Sequence, residues 1–135
     1  MKGDVRDLHH DERGLVGKFI VGWLIIVAVI GLAAVDFTSI AFTTFRLSDI
    51  AASAASEAAS QFNRGANQTR ACQAAERSIL DQDEAVRMVG CRRVEADRFS
   101  LTVRKQASTL IVNKVGFLES YGRVTRTESA APSAV

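Results

Sequence analysis

The balance of apolar and polar positions changes several times along the chain, and each change predicts a different element. Residues 1–14 mix Lys2, Arg6 and Arg13 with Asp4, Asp7, Asp11 and Glu12, show no apolar period, and read as a polar tail that is unstructured or briefly helical. Residues 19–35 then run without a charge or a strongly hydrogen-bonding side chain other than the Trp23 indole. At ~1.5 Å of rise per residue this stretch covers about 25 Å, and extending it to residues 15–37 reaches the ~30 Å of a bilayer core. A helix apolar on all sides needs lipid or a large protein around it. A chain of 135 residues offers no such surrounding, so a membrane span is predicted. No breaker interrupts residues 38–62, and the helix is expected to continue through them as an Ala-rich extension. Ala51, Ala55 and Ala59 recur four residues apart, with Ala54, Ala58 and Phe62 as the adjoining row and Ile40, Phe45, Leu47 and Ile50 opening the same face. A seam of small residues lets another helix approach closely, although alanine also favours the helix by its own propensity.

After residue 62 the pattern shortens. Gly65 and its neighbours Asn63 and Asn67 supply turn chemistry. A second helix is predicted over residues 70–88, with Cys72, Ala75, Ile79 and Val86 on one face and Leu80 beside them. Asp81-Gln82-Asp83-Glu84 marks a kink or division in it, and Gly90 its stop. Residues 98–104 alternate, placing Phe99, Leu101 and Val103 on one side. Residues 109–112 form a second short β-rich run, Gly116 breaks the chain after it, and residues 121–127 alternate again around Val124. Arg, Thr and Ser on the opposite face predict an antiparallel sheet with one solvated side. Residues 129–135 are small and polar and are expected to be disordered. The fold class is thus α+β. A single N-terminal transmembrane helix (residues 15–37) succeeds the tail of residues 1–14 and continues as an Ala-rich helix (38–62). It carries a small extracytoplasmic head (63–128) with one further helix and a short sheet.

Charge sets orientation more than function. The chain has 17 Lys and Arg against 15 Asp and Glu, and no basic stripe interleaves with aromatics, so no nucleic-acid partner is expected. Lys2, Arg6, Arg13 and Lys18 precede the span while only Arg46 comes soon after it, which places the N-terminus in the cytoplasm and the C-terminal residues outside. The apolar run exceeds a 7–15-residue signal-peptide core and lacks a clean cleavage site after it, so an uncleaved anchor is expected. Lys18 and Asp36 are the membrane-interface charges. Asp36 near the outer boundary has two readings, pairing with a partner cation and snorkelling to the headgroups. Cys72 and Cys91 are the chain's two cysteines. In an extracytoplasmic head they predict a disulfide, with free thiols or an intermolecular bridge as the alternatives. His9-His10-Asp11-Glu12 reads as a solvated tail and not a metal cluster, because adjacent ligands on a tail without a distant partner make a poor site. No nucleophile with a base, no phosphate-cradling loop and no ligand cluster is present. The expectation is a protein with no catalytic residue, cofactor, metal or small-molecule substrate, acting by contact with lipid and other proteins.

Several short motifs resemble a known family. Arg13-Gly14, then Phe19, is similar to the Arg-Gly … Glu-Phe start of the TadE/TadG-like proteins of bacterial tight-adherence (Flp, type IVc) pilus systems. Ala34-Val35-Asp36, Arg46-Leu47 and Ile50-Ala51-Ala52-Ser53-Ala54-Ala55 resemble the stretch after the span in that family. Leu101-Thr102-Val103, Thr109-Leu110 and Val115-Gly116 resemble its short C-terminal strands, and residues 124–130 its closing one. The resemblance covers most of the chain, through motifs made mainly of Ala and aliphatic residues. It implies a minor pilin or pilus-assembly component of the inner membrane, presenting a small α+β domain outside and packing its helix against other pilus or secretion-platform proteins. It also implies a candidate processing site between Gly14 and Leu15. One position departs from the pattern: where the family has the Glu before that Phe, this chain has Lys18, which cannot pair with the new N-terminus of a neighbouring subunit. Two other classes stay open: a single-pass membrane-anchored envelope or secretion accessory protein unrelated to pili, and an enzyme or ligand-binding sensor, which needs a pocket formed by the strand region.

Overall fold

The computed structural model describes residues 8–133 apart from 113, with side chains from residue 14 onward. Helix α1 spans Leu8–Asn63 without a break, α2 spans Gln68–Gln82, and strands β1 (Arg87–Arg93), β2 (Phe99–Gln106) and β3 (Arg123–Ala130) come after them. The strands make one antiparallel sheet in the order β1-β2-β3, as the sequence predicts for an α+β head. Helix α1 begins at Leu8 and so takes in part of the tail expected before residue 15. The rest of that tail, residues 1–7, lies outside the described residues, as do the side chains of the His9-His10 cluster.

Local chemistry sets the element ends. At the end of α1, Gly65 adopts φ +96°, a backbone region open chiefly to glycine. There the Gly65 N–H donates to Phe62 O at 3.0 Å and the Ala66 N–H to Gln61 O at 3.1 Å, which satisfies two of the last helix carbonyls. Two residues on, Asn67 caps α2 by accepting the Arg70 N–H at 2.9 Å.

Helix α2 stops at Gln82, well short of the residue 88 that periodicity predicts. Asp83 ends it: its carboxylate accepts the Ala85 N–H at 3.0 Å and its carbonyl accepts the Val86 N–H at 3.1 Å. Short acidic side chains compete with the helix ladder in this way. The chain then enters β1, so Gly90 and Cys91 lie within a strand and Gly90 stops no helix.

Two further expectations change. Residues 109–112 form bends and a turn and not a strand, because the N–H groups of residues 110–112 bond to a side chain of α1. The final strand reaches Ala130, so residues 129–130 belong to β3 and not to a tail; residues 134–135 lie outside the described residues.

The sheet lies along the upper half of α1. Strand β2 runs opposite to the helix: Phe99 stacks on Phe62 with ring centroids 5.6 Å apart, the Ser39 hydroxyl donates to Ser108 O, and residues 110–112 meet Asp36. The lengths agree. From Phe62 to Asp36 the helix falls about 39 Å, and twelve residues of extended chain from Phe99 to Ile111 cover about 40 Å. Leu47, Ile50, Ala51, Ala54, Ala55, Ala58 and Ala59 of α1, Ala71, Ala75 and Ile79 of α2, Val86, and Phe99, Leu101, Val103 and Val124 of the sheet form one buried core. The lower part of α1 has no such cover. Phe19, Trp23, Leu24 and Ile30 are each more than half exposed there. This part is long and apolar enough to cross a membrane.

Candidate functional site: the helix, its clasp and its faces

The junction between the uncovered and covered halves of α1 is made by Asp36. This carboxylate is 2 % exposed although every residue just before it in the helix is exposed. It accepts three backbone N–H groups, from Leu110 at 2.5 Å, Ile111 at 2.7 Å and Val112 at 3.0 Å. A carboxylate bound in this way needs no cation, because amide donors stabilise its charge. Neither sequence-based reading of Asp36 contained this arrangement, in which its own chain supplies the donors. The same bonds keep residues 110–112 out of a sheet, since the N–H groups that a ladder would use are committed to Asp36. One signal for the clasp is present in the sequence: a lone acid in an apolar helix must find donors.

The Ala51, Ala55 and Ala59 seam is filled from within. All three are fully buried against the head, along with Ala54 and Ala58. The close approach expected of small residues does occur, but the neighbours are the chain's own α2 and sheet and not a partner's helix. Cys72 on α2 and Cys91 on β1 form a disulfide with Cα atoms 6.0 Å apart, which ties the second helix to the edge of the sheet. Beside it, the Arg93 guanidinium lies 4.9 Å from the centre of the Phe62 ring.

Near the foot of the head, Lys105 pairs with Asp83, and the Asp83 carboxyl is held below its usual value. The hydrogen bond from Lys105 is the largest cause, burial opposes it, and the Ala85 N–H and the nearby Arg46 charge add to it. Arg46, Asp83 and Lys105 line a small hollow with Phe42 and Leu47.

Several surfaces are open among the described residues. Lys18, Phe19, Gly22, Trp23 and Ile26 line an open apolar hollow on the lower helix. Gly14 and Leu15, the candidate processing pair, are exposed within continuous helix. Above the clasp, Phe37, Phe42 and Phe45 are exposed on α1, with Phe42 at the hollow that Asp83 and Lys105 line. On the sheet, strand alternation and register put Arg87, Arg92, Arg104 and Arg123 on the side away from α1 with Thr102, Thr125 and Thr127. None of these arginines has a carboxylate within ion-pair distance among the described residues.

No family model, curated protein or solved structure matches the chain.

Proposed function

We propose that the protein is a single-pass anchor of the cytoplasmic membrane that holds a small head outside and works by protein–protein contact as an assembly component of a tight-adherence pilus system. The observation that carries the anchor reading is the two-part surface of α1. Bulky apolar residues are uncovered below Asp36, and a buried alanine face lies above it. Water does not tolerate so long an uncovered apolar helix. The excess of Lys and Arg before the span supports an outward-facing head, and the disulfide supports an oxidising compartment.

The pilus assignment rests on the resemblance to TadE/TadG-like proteins. Within it, a membrane-resident role is favoured over a filament subunit. Lys18 lacks the carboxylate that pairs with a neighbour's N-terminus, and the alanine seam is already occupied. Partners then meet the chain through the bare lower helix and the exposed Phe37, Phe42 and Phe45.

The test is purification of the full chain from solubilised membranes of its own cells, in wild-type form and as Phe45→Arg. Wild type should bring down the tight-adherence platform proteins, as a full-length, disulfide-bonded chain, and the variant should lose them. Recovery of wild type without those proteins contradicts the assembly role. A mass beginning at Leu15 in sheared filaments contradicts the membrane-resident role.

A further inference from the structure

Residues 108–118 contain six apolar residues and one charge, Lys114, a composition unlike that of a solvated turn. The segment leaves the end of β2 and returns through a short 3-10 turn at Glu119–Gly122 to β3. It is the end of the head nearest the bare part of α1, because the Asp36 clasp and the Ser39–Ser108 hydrogen bond fix it there. On it Leu110, Phe117 and Tyr121 are exposed, Phe117 by 78 %.

The geometry points to this tip as a second membrane contact, in which Leu110, Phe117 and Tyr121 rest in the outer-leaflet interface beside the span. The inference depends on the reading of α1 as a membrane helix and deepens it. Depth is the first support. The uncharged stretch ends at residue 35 and covers about 25 Å, less than a ~30 Å hydrocarbon core. Asp36 therefore lies at the edge of the hydrocarbon, and the segment it holds lies at the same height. Hydrogen bonding is the second. Irregular backbone enters such a region only when its polar groups are satisfied. Here three consecutive N–H groups are taken by Asp36, whose own charge is satisfied by the same bonds. Composition is the third: aromatic rings are favoured at the interface, and the exposed Lys114 can extend its ammonium to the headgroups. Lipid is the occupant because Asp36 and Ser39 hold this segment beside the end of the uncovered apolar stretch of α1.

The experiment uses the full chain in zwitterionic lipid vesicles, with lipids brominated near the carbonyl end of the acyl chains or near their middle. Trp23 of the wild-type chain reports the span. Phe117→Trp in a Trp23→Phe background reports the tip, and Tyr121→Trp in the same background guards against a local effect of one substitution. We expect mid-chain bromine to quench Trp23. Shallow bromine should take a roughly twofold share of emission from the tip tryptophans, with a blue shift, as for interfacial residues. Quenched Trp23 with water-like, unquenched tip tryptophans would overturn the tip contact and leave the span standing. Blue-shifted but unquenched tip tryptophans would overturn it too, by showing protein cover such as a second copy. Loss of quenching at Trp23 itself would remove the span, and the tip contact with it.

Discussion

The two halves of α1 share one unbroken helix yet meet different surroundings. Below Asp36 the side chains are large, and almost none is covered. Above it one face is alanine, fully covered, while Phe37, Phe42 and Phe45 are exposed. Large apolar residues on every side leave no preferred face, the pattern of a helix long and apolar enough to cross a membrane. Small residues along one face let a second layer come within van der Waals contact, so that half is stabilised by its own head. Asp36 marks the boundary and joins the halves.

The comparison can be broken from the lower half first. Ile26→Arg should cost about 3 kcal/mol of insertion and shift the chain from the membrane fraction, while the head keeps its disulfide and its sheet. Unchanged membrane retention on carbonate extraction would remove lipid as the solvent of this half. The upper half is tested next by Cys72→Ser, which should destabilise the head by about 3 kcal/mol through the reopened loop. Melting of the head with and without reductant reads this directly, and the anchor should stay inserted.

Ala55→Leu comes third. The alanine is fully buried, and overpacking a filled core costs about 1–3 kcal/mol. Denaturant melting should register the loss in the isolated chain, with no partner present. An unchanged midpoint would mean that the seam is free for other proteins after all. Asp83→Asn should cost about 1–2 kcal/mol by leaving Lys105 without its charged acceptor. In wild type this contribution depends on pH with a definite sign. The folded carboxyl titrates below its unfolded value, so the stabilisation is complete above about pH 4 and is lost as pH falls through the lowered folded value. Asp83→Asn should flatten the acid limb of the melting curve.

The smallest global effect belongs to Asp36→Ala. It should speed amide exchange at residues 110–112 and leave the melting of the sheet nearly unchanged. Slow exchange at those amides in the variant would mean that another acceptor holds them.

Much of this architecture is legible in the residues themselves. The long helix, the strand at Phe99–Leu101–Val103 and the alternation around Val124 declare themselves by period. The pairing of Cys72 with Cys91 is expected from the oxidising compartment that the charge asymmetry implies. What escapes is decided by long-range hydrogen bonds. Residues 109–112 look like a strand because their side chains are β-formers, but a carboxylate some seventy residues earlier takes the N–H groups of residues 110–112. Strand β1 hides behind the arginines and glycine of Arg-Met-Val-Gly-Cys-Arg-Arg and carries an irregularity between Met88 and Gly90, which breaks its alternation. The alanine seam is visible as a packing face, yet the sequence holds no label for whose helix it meets. Inside one chain the effective concentration favours its own.

The most direct test of the two-solvent account compares Ile26→Cys with Ser53→Cys in intact cells, using a membrane-impermeant maleimide. Both positions are exposed when the chain is considered alone, and the native cysteines are occupied by their disulfide, so only the surroundings distinguish them. The account predicts that the cysteine at position 53 reacts promptly from outside, and that the one at position 26 stays unmodified until detergent is added. Equal labelling of both in intact cells would contradict it.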